Sequence, residues 1–215
     1  MASGRNLARI AALLGAALFC ALAAFFVLPS ARRAAPPFVP ADLSALPPLE
    51  VGDWVLRMGT EADSRLIRQI GGGAFSHIGL IVALQPEVLV AHATTAEAGQ
   101  TPSEGVLLTP LAVFFAPDRT ADYAIVRPQF LDAAQKQALA RAVRQKVGEP
   151  FVLAAKNQSH LYCTTLLADE IARLHSDFAP RWQYVSAPVF RGEYLFPQAF
   201  VEYPGVHTIY HAAHP

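Results

Sequence analysis

The feature that most constrains this chain is an uncharged stretch at residues 10–31, made mainly of Ala, Leu, Phe, Ile and Val. A helix of about 20 apolar residues spans the roughly 30 Å hydrocarbon core of a bilayer. Arg5 and Arg9 precede the stretch, which favours a cytoplasmic N-terminus. The pattern predicts a signal anchor over residues 1–33, with membrane contact through residues 10–31.

This anchor predicts where the rest of the chain lies. A single-pass topology with the N-terminus inside puts the C-terminal domain in the periplasm, at a bacterial inner membrane. The apolar run is longer than the core of about 7–15 residues found in cleaved signal peptides. Small residues near Ala23 and Ala35 still permit cleavage, so secretion of the domain is the alternative.

The segment that follows is rich in proline and predicts a semi-rigid linker over residues 34–48. Its prolines are Pro36, Pro37, Pro40, Pro47 and Pro48. The remaining residues, 49–215, are enough for one domain with its own core.

Charge and cysteine content narrow the class of this domain. The chain has 17 basic and 17 acidic residues and a net charge of zero, so no basic excess points to a nucleic-acid partner. Two cysteines are too few for a disulfide scaffold or a four-cysteine zinc site. The domain is expected to be globular and to bind no nucleic acid.

Hydrophobic periodicity predicts an α+β domain. Residues 51–58, 75–83, 88–93, 105–108 and 123–127 have strand character, and helical spacing occurs at 61–70, 131–147 and 162–174. Residues 189–210 contain many aromatic side chains and suggest loops with a strand or two. Because strands and helices do not alternate regularly, we expect an antiparallel sheet packed on helices.

Cys163 is the single cysteine of the predicted domain and opens the helix at 162–174. A thiol at a helix N-terminus lies at the positive end of the helix dipole, which favours the nucleophilic thiolate. The alternative is a buried cysteine that acts as a small hydrophobic side chain. A nucleophilic role requires a neighbouring base.

Two histidines are candidates for the base and for the group that orients it. His77 lies in the strand at 75–83 and His92 in the next one, with a predicted turn at 85–87 between them. In an antiparallel hairpin the midpoint of paired residues falls at the turn, so we expect His77 and His92 to be cross-strand neighbours to within one register step. The alternative is that the two histidines only form a hydrogen bond with each other on the sheet and have no catalytic role.

Short motifs in this order resemble the circularly permuted papain-like cysteine hydrolases. Gly-Asp at 52–53, Ser-His-Ile-Gly at 76–79, Tyr-Cys at 162–163 and Tyr-Leu-Phe-Pro at 194–197 are similar to motifs of the YaeF/YiiX-type members of the NlpC superfamily, which are relatives of the lecithin:retinol acyltransferase group. The resemblance implies a permuted papain-like fold. It also implies that Cys163 is the nucleophile, His77 the base and His92 the group that orients the base.

The resemblance further implies a reaction and its substrates. The thiolate would attack a carbonyl, and an acyl-enzyme would then be released. Tyr162, Thr164 and Ser76 are expected to lie at the oxyanion site or cleft, with no cofactor or metal. The implied substrates are peptides, muropeptides or lipid esters. The family often has Glu in place of His92 and Ser-Glu after the cysteine, where this chain has Thr164 and Thr165.

Two other functional classes remain open from the sequence. The first is a non-catalytic module that binds a cell-wall peptide or lipid in the same cleft. The second is a metalloprotein that uses His77, His92 and Cys163 as ligands, because imidazole and thiolate are common metal ligands.

Overall fold

The computed structural model describes residues 39–95, 104–187 and 190–212, which form an α+β domain. The predicted signal anchor at 1–33 and the first residues of the predicted linker, 34–38, lie outside the described residues. Within the described residues, no helix has both the length and the apolar character needed to cross a bilayer.

The strands of the described chain form two antiparallel sheets. They are β1 (Trp54–Gly59), β2 (His77–Ala83), β3 (Leu89–Thr94), β4 (Gly105–Pro110), β5 (Thr120–Pro128), β6 (Gln183–Ser186), β7 (Arg191–Tyr194) and β8 (Val206–Ala212). The main sheet has the order β4-β3-β2-β1-β5-β8, and β6 pairs with β7 in a separate hairpin. The expected antiparallel sheet is therefore present.

The described helices are α1 (Ala62–Gly71), α2 (Leu111–Phe114), α3 (Ala133–Gln145), α4 (Cys163–Leu174) and α5 (Gln198–Val201). α3 begins with a capping box, in which the Asp132 carboxylate accepts a 2.8 Å hydrogen bond from the Gln135 N–H and the Gln135 side chain accepts one from the Asp132 N–H. α1 ends at Gly72, whose φ of 68° is left-handed and suits glycine.

The two faces of the main sheet bury different clusters, as strand alternation requires. Leu56, Ile78 and Leu80 belong to the first cluster, together with buried residues of α3 and α4. Val55, Ile81 and Val90 belong to the second cluster, which also contains Phe114 of α2. Helices α3 and α4 thus cover one face, and α2 packs on the other.

An ion network built around the buried Asp53 carboxylate holds the start of β1. The Asp53 side chain has no solvent exposure, and its two carboxylate oxygens accept hydrogen bonds of 2.7 and 2.8 Å from Arg127 of β5. Glu50 contacts both Arg127 at 2.8 Å and Lys136 of α3 at 3.0 Å. The Gly-Asp motif at 52–53 therefore fixes the position of the first strand.

Part of the predicted linker packs on the domain. The Ala41 N–H donates a 2.8 Å hydrogen bond to the Ala112 carbonyl, and Leu43 and Leu46 pack against the second cluster. Because this segment has apolar side chains between its prolines, it covers the sheet face that α2 leaves open. Residues 41, 43 and 46 of the predicted linker thus contact the domain directly.

Candidate active site

A cavity of about 740 Å³ lies where the ends of β1, β2 and β3 meet the start of α4. Residues of the site that line it are Arg57, Ser76, His77, Tyr162 and Cys163. Cys163 packs with the first cluster from α4, whereas His77 contacts Phe114 of the second cluster at a ring-centroid distance of 5.6 Å. The two sheet faces therefore bring a thiol and an imidazole to one cavity.

Cys163 is the first residue of α4 and is 9% exposed. Burial raises the pKa of its thiol to about 11, although the backbone N–H groups of Ile78 and Thr164 and the charge of Arg57 oppose this shift. Desolvation thus opposes the thiolate that the helix terminus favours. The sulfur contacts the backbone of Ile78, the residue next to His77.

His77 and His92 are joined by a direct hydrogen bond. Nε2 of His77 lies 2.8 Å from Nδ1 of His92, and Nε2 of His92 lies 2.8 Å from Oγ1 of Thr109. Leu80 pairs with Ala91, so His92 lies opposite Gly79 and diagonal to His77. The expected neighbourhood of the two histidines is present, with the pairing displaced along the strand.

Gly79 makes room for this diagonal contact. A Cβ added at residue 79 would lie 2.5 Å from Cγ1 of Val90 and 3.3 Å from Cβ of His92. Real Cβ atoms do not approach neighbours to 2.5 Å, so a larger residue would displace β3 at His92. The glycine of the Ser-His-Ile-Gly motif therefore permits the close approach of β3 to β2 that brings His92 near His77.

Both imidazoles are neutral in the resting site. Burial lowers the pKa of His77 and of His92 well below the ordinary value of 6.5, and the positive charge of Arg57 lowers both further. A neutral ring has one N–H and one acceptor nitrogen. When His77 donates to His92 and His92 donates to Thr109, Nδ1 of His77 is an acceptor and can take a proton.

Arg57 and Phe114 complete the surroundings of the histidines. Arg57 pairs with His77 across β1 and β2, and its Nη1 donates a 2.8 Å hydrogen bond to the Phe114 carbonyl. The guanidinium carbon lies 4.4 Å from the centre of the Phe114 ring, and that ring also contacts His92 at a centroid distance of 5.1 Å. Phe114 thus supports both a cation and the imidazole pair.

The three residues expected at the cleft have largely structural side chains. The Tyr162 hydroxyl accepts a 3.0 Å hydrogen bond from the Leu195 N–H, and burial raises its pKa, so it remains a phenol. Thr164 is fully buried and donates to the Leu195 carbonyl at 2.9 Å. Ser76 accepts a 3.0 Å hydrogen bond from the Gly59 N–H. Ser76 and Tyr162 line the cavity, and Thr164 reaches the sulfur only through its backbone.

The sequence analysis missed Thr109, Arg57 and Phe114. Strand alternation from Val55, which the second cluster buries, would place Arg57 on the same face, so this position was open to prediction. Thr109 lies on β4, whose register against β3 depends on the geometry of the connection after residue 94. Phe114 lies on a single-turn helix that carries no periodic signal.

In the described part of the chain, no group of three or more His, Cys, Asp and Glu side chains is arranged to hold a metal ion. The two nitrogens that face each other in the histidine pair are 2.8 Å apart and share a hydrogen bond. Because a metal must bind each nitrogen lone pair at about 2.0–2.1 Å, this pair would have to separate and rotate to hold one.

Comparison with known proteins establishes the fold. No family model matches the chain, and no curated protein is similar to it in sequence. Among solved structures, the crystal structure of the metalloprotein YiiX from Escherichia coli O157:H7 matches with a TM-score of 0.61 and 18% identity. The match covers 75% of this chain and 96% of that chain. The domain therefore has a YiiX-like α+β fold.

Proposed function

We propose that this protein is a cysteine hydrolase of the permuted papain-like type, which cleaves amide or acyl ester bonds. The observation that carries the proposal is that Cys163 and His77 line one cavity, with His77 hydrogen-bonded to His92 and His92 to Thr109 behind it. A nucleophile, a base and a group that orients the base are the requirements of covalent catalysis at a carbonyl.

The resting protonation states favour general-base attack. Because the thiol and both imidazoles are neutral, Nδ1 of His77 removes the proton of Cys163 as the sulfur attacks the carbonyl carbon. The positive charge that forms on His77 is accommodated through its hydrogen bond to His92. A new S–C bond forms, and the carbonyl oxygen becomes negatively charged.

The start of α4 suits the stabilisation of that oxygen. The first N–H groups of a helix have no partners within the helix, and those of Cys163 and Thr164 interact with the sulfur here. His77 then donates its proton to the leaving oxygen or nitrogen, and a thioester remains on Cys163. Water, activated by the neutral His77, hydrolyses the thioester and restores the thiol.

A metal-dependent function is the main competitor, because the structural neighbour YiiX is described as a metalloprotein. The residues here do not fit that role, since both ring nitrogens of His92 are engaged, one by His77 and one by Thr109. We therefore derive no catalytic step through a metal. A binding module without catalysis is the other competitor, and it predicts a cleft in which Cys163 can be replaced without consequence.

We also propose that residues 10–31 anchor the chain in a bacterial inner membrane, with the domain in the periplasm. The proposal rests on the apolar sequence and the flanking arginines alone.

Parallel inactivation experiments test the proposed function. The purified full chain, with Cys20→Ser to remove the other cysteine, is treated with iodoacetamide or with a chelator before its esterase and amidase activities are assayed. We expect iodoacetamide to abolish activity and the chelator to leave it intact. Loss of activity with the chelator alone would refute the cysteine mechanism, and activity that survives full alkylation of Cys163 would refute the nucleophile.

A further inference from the structure

The cavity beside Cys163 differs in character between its two ends. Charged and polar side chains form one end: Arg57, Thr60, Glu61, Asp63, Asp118 and Arg119. Apolar and aromatic side chains of one packed cluster form the other: Ile70, Val185, Phe190, Tyr194 and Phe196. Its volume of about 740 Å³ lies within the range of roughly 300–1,000 Å³ that is typical of small-molecule sites.

The two ends of the cavity lie at opposite ends of helix α1. At its N-terminal side, Oγ1 of Thr60 donates a 3.2 Å hydrogen bond to the Asp118 carbonyl. At its C-terminal side, the Ile70 carbonyl accepts a 2.8 Å hydrogen bond from the Gln183 side chain, and Gly71 abuts the Phe196 ring. A ten-residue helix is about 15 Å long, so α1 runs along the cavity from the charged end to the apolar end.

The reactive sulfur lies between the two ends. Arg57 of the charged end acts electrostatically on Cys163. On the other side, Tyr162 and Thr164, which flank the cysteine, both bind the backbone of Leu195. Leu195 precedes Phe196 of the apolar end. A carbonyl placed at the sulfur therefore has charged groups in one direction and an apolar wall in the other.

We infer that the substrate is an amphiphile, with a long acyl chain in the apolar end and a polar head group at the charged end. The inference rests on the proposed function and names its substrate class. Each methylene of an acyl chain that is buried against an apolar wall contributes to the free energy of binding. A muropeptide has polar groups along its whole length, and those facing Val185 and Phe196 would lose hydration without a partner.

The reaction follows the proposed mechanism without any oxidant or reductant. The acyl carbon forms a bond to the Cys163 sulfur as its bond to the head-group oxygen or nitrogen breaks, and His77 supplies the proton to the head group. Water then cleaves the thioester, which releases a fatty acid and regenerates the thiol.

The test compares two chromogenic esters, nitrophenyl butyrate and nitrophenyl octanoate, with the full chain solubilised in digitonin, which carries no acyl chain. We expect kcat/KM for octanoate to exceed that for butyrate by about tenfold or more, because four added methylenes are buried. The ratio of kcat/KM for octanoate to that for butyrate is then measured in variants of apolar residues that line the cavity.

Leu66 of α1 and Leu153 lie on the cavity wall and are 47% and 45% exposed, so a carboxylate at either position is compatible with folding. Leu66→Asp and Leu153→Asp should each lower the octanoate-to-butyrate ratio at least fivefold. Val147 is 41% exposed and is not among the residues that line this cavity. Val147→Asp is thus the matched control, and it should keep the wild-type ratio.

The outcomes separate this inference from the proposed function. Equal rates for both esters, with hydrolysis still dependent on Cys163, would overturn the amphiphile and leave the hydrolase standing. If neither ester is hydrolysed, the acyl ester hydrolase of the proposed function fails, and binding decides the inference. Cys163→Ala should then bind dansyl-undecanoate, with displacement by octanoate and not by a cell-wall stem tripeptide. Absent binding, or displacement by the tripeptide alone, would overturn the inference.

Discussion

His77 and His92 form a direct hydrogen bond of 2.8 Å between Nε2 of the first ring and Nδ1 of the second. This contact engages Nε2, so in the proposed mechanism Nδ1 is the nitrogen of His77 that exchanges a proton with Cys163. It also fixes the ring plane, because the His92 ring is itself held by Thr109 at 2.8 Å. In the proposed mechanism, His92 is therefore a positioning residue that acts through His77.

Replacement of His92 should therefore slow the reaction more than it weakens binding. We expect His92→Ala to lower kcat by about 100-fold, the scale of general-base catalysis, with KM within a few-fold of the wild-type value. His92→Asn retains an oxygen close to the position of Nδ1 and should recover part of the loss. Steady-state kinetics check the order wild type, Asn, Ala. Equal defects in both variants, or a change confined to KM, would contradict the orienting role.

Thr109 offers a test one residue further from the sulfur. Thr109→Val removes the hydroxyl bonded to His92 and should destabilise the domain by about 1–3 kcal/mol, because a buried nitrogen loses a partner. It should also lower kcat, since the other tautomer of His92 becomes accessible. Thr109→Ser keeps the hydroxyl and is the control. The account is contradicted if Val and Ser variants have the same kcat at the same folded fraction.

The charge of Arg57 predicts how activity depends on pH. The base must be neutral, and burial together with Arg57 lowers the pKa of His77 well below 6.5. The acid limb of kcat/KM should therefore lie well below pH 6.5, with no decline from neutral pH down to that value. Arg57→Gln removes the charge, so the limb should move to higher pH. Arg57→Lys keeps the charge and should hold the limb in place. A limb that does not move in Arg57→Gln would show that Arg57 has no electrostatic role.

The ion network at β1 predicts a large difference between two similar substitutions. Arg127→Met leaves the fully buried Asp53 carboxylate without its bidentate partner and should lower the free energy of unfolding by about 3–5 kcal/mol. Lys146→Met breaks a half-exposed pair with Glu149 and should cost about 0–1 kcal/mol. Urea denaturation of both variants measures the difference. Equal losses would mean that Asp53 is not held by Arg127.

Much of the fold and part of the site could be predicted from the sequence. Periodicity located the central strands and the three longer helices, and glycines such as Gly72 and Gly148 marked where two of the helices end. It missed β6 and the single-turn helices α2 and α5, which are too short to show a period. The histidine pair was predictable because one short turn joins β2 and β3, which limits the possible registers.

The remaining features of the site depend on contacts between distant segments. Thr109 reaches His92 only once β4 has its register, and Phe114 contacts the histidines only through packing of α2 on the sheet. The helix terminus at Cys163 can be read from the sequence, whereas the burial that raises the pKa of its thiol depends on the packing of distant segments.

The most direct test of the central claim is mass spectrometry of the enzyme during turnover of a nitrophenyl ester. After acid quenching, the account predicts an acyl adduct on the peptide that carries Cys163, which is absent in Cys163→Ser and forms more slowly in His77→Ala. An adduct on Cys20 or on another residue, or hydrolysis at the wild-type rate in folded Cys163→Ser, would contradict it.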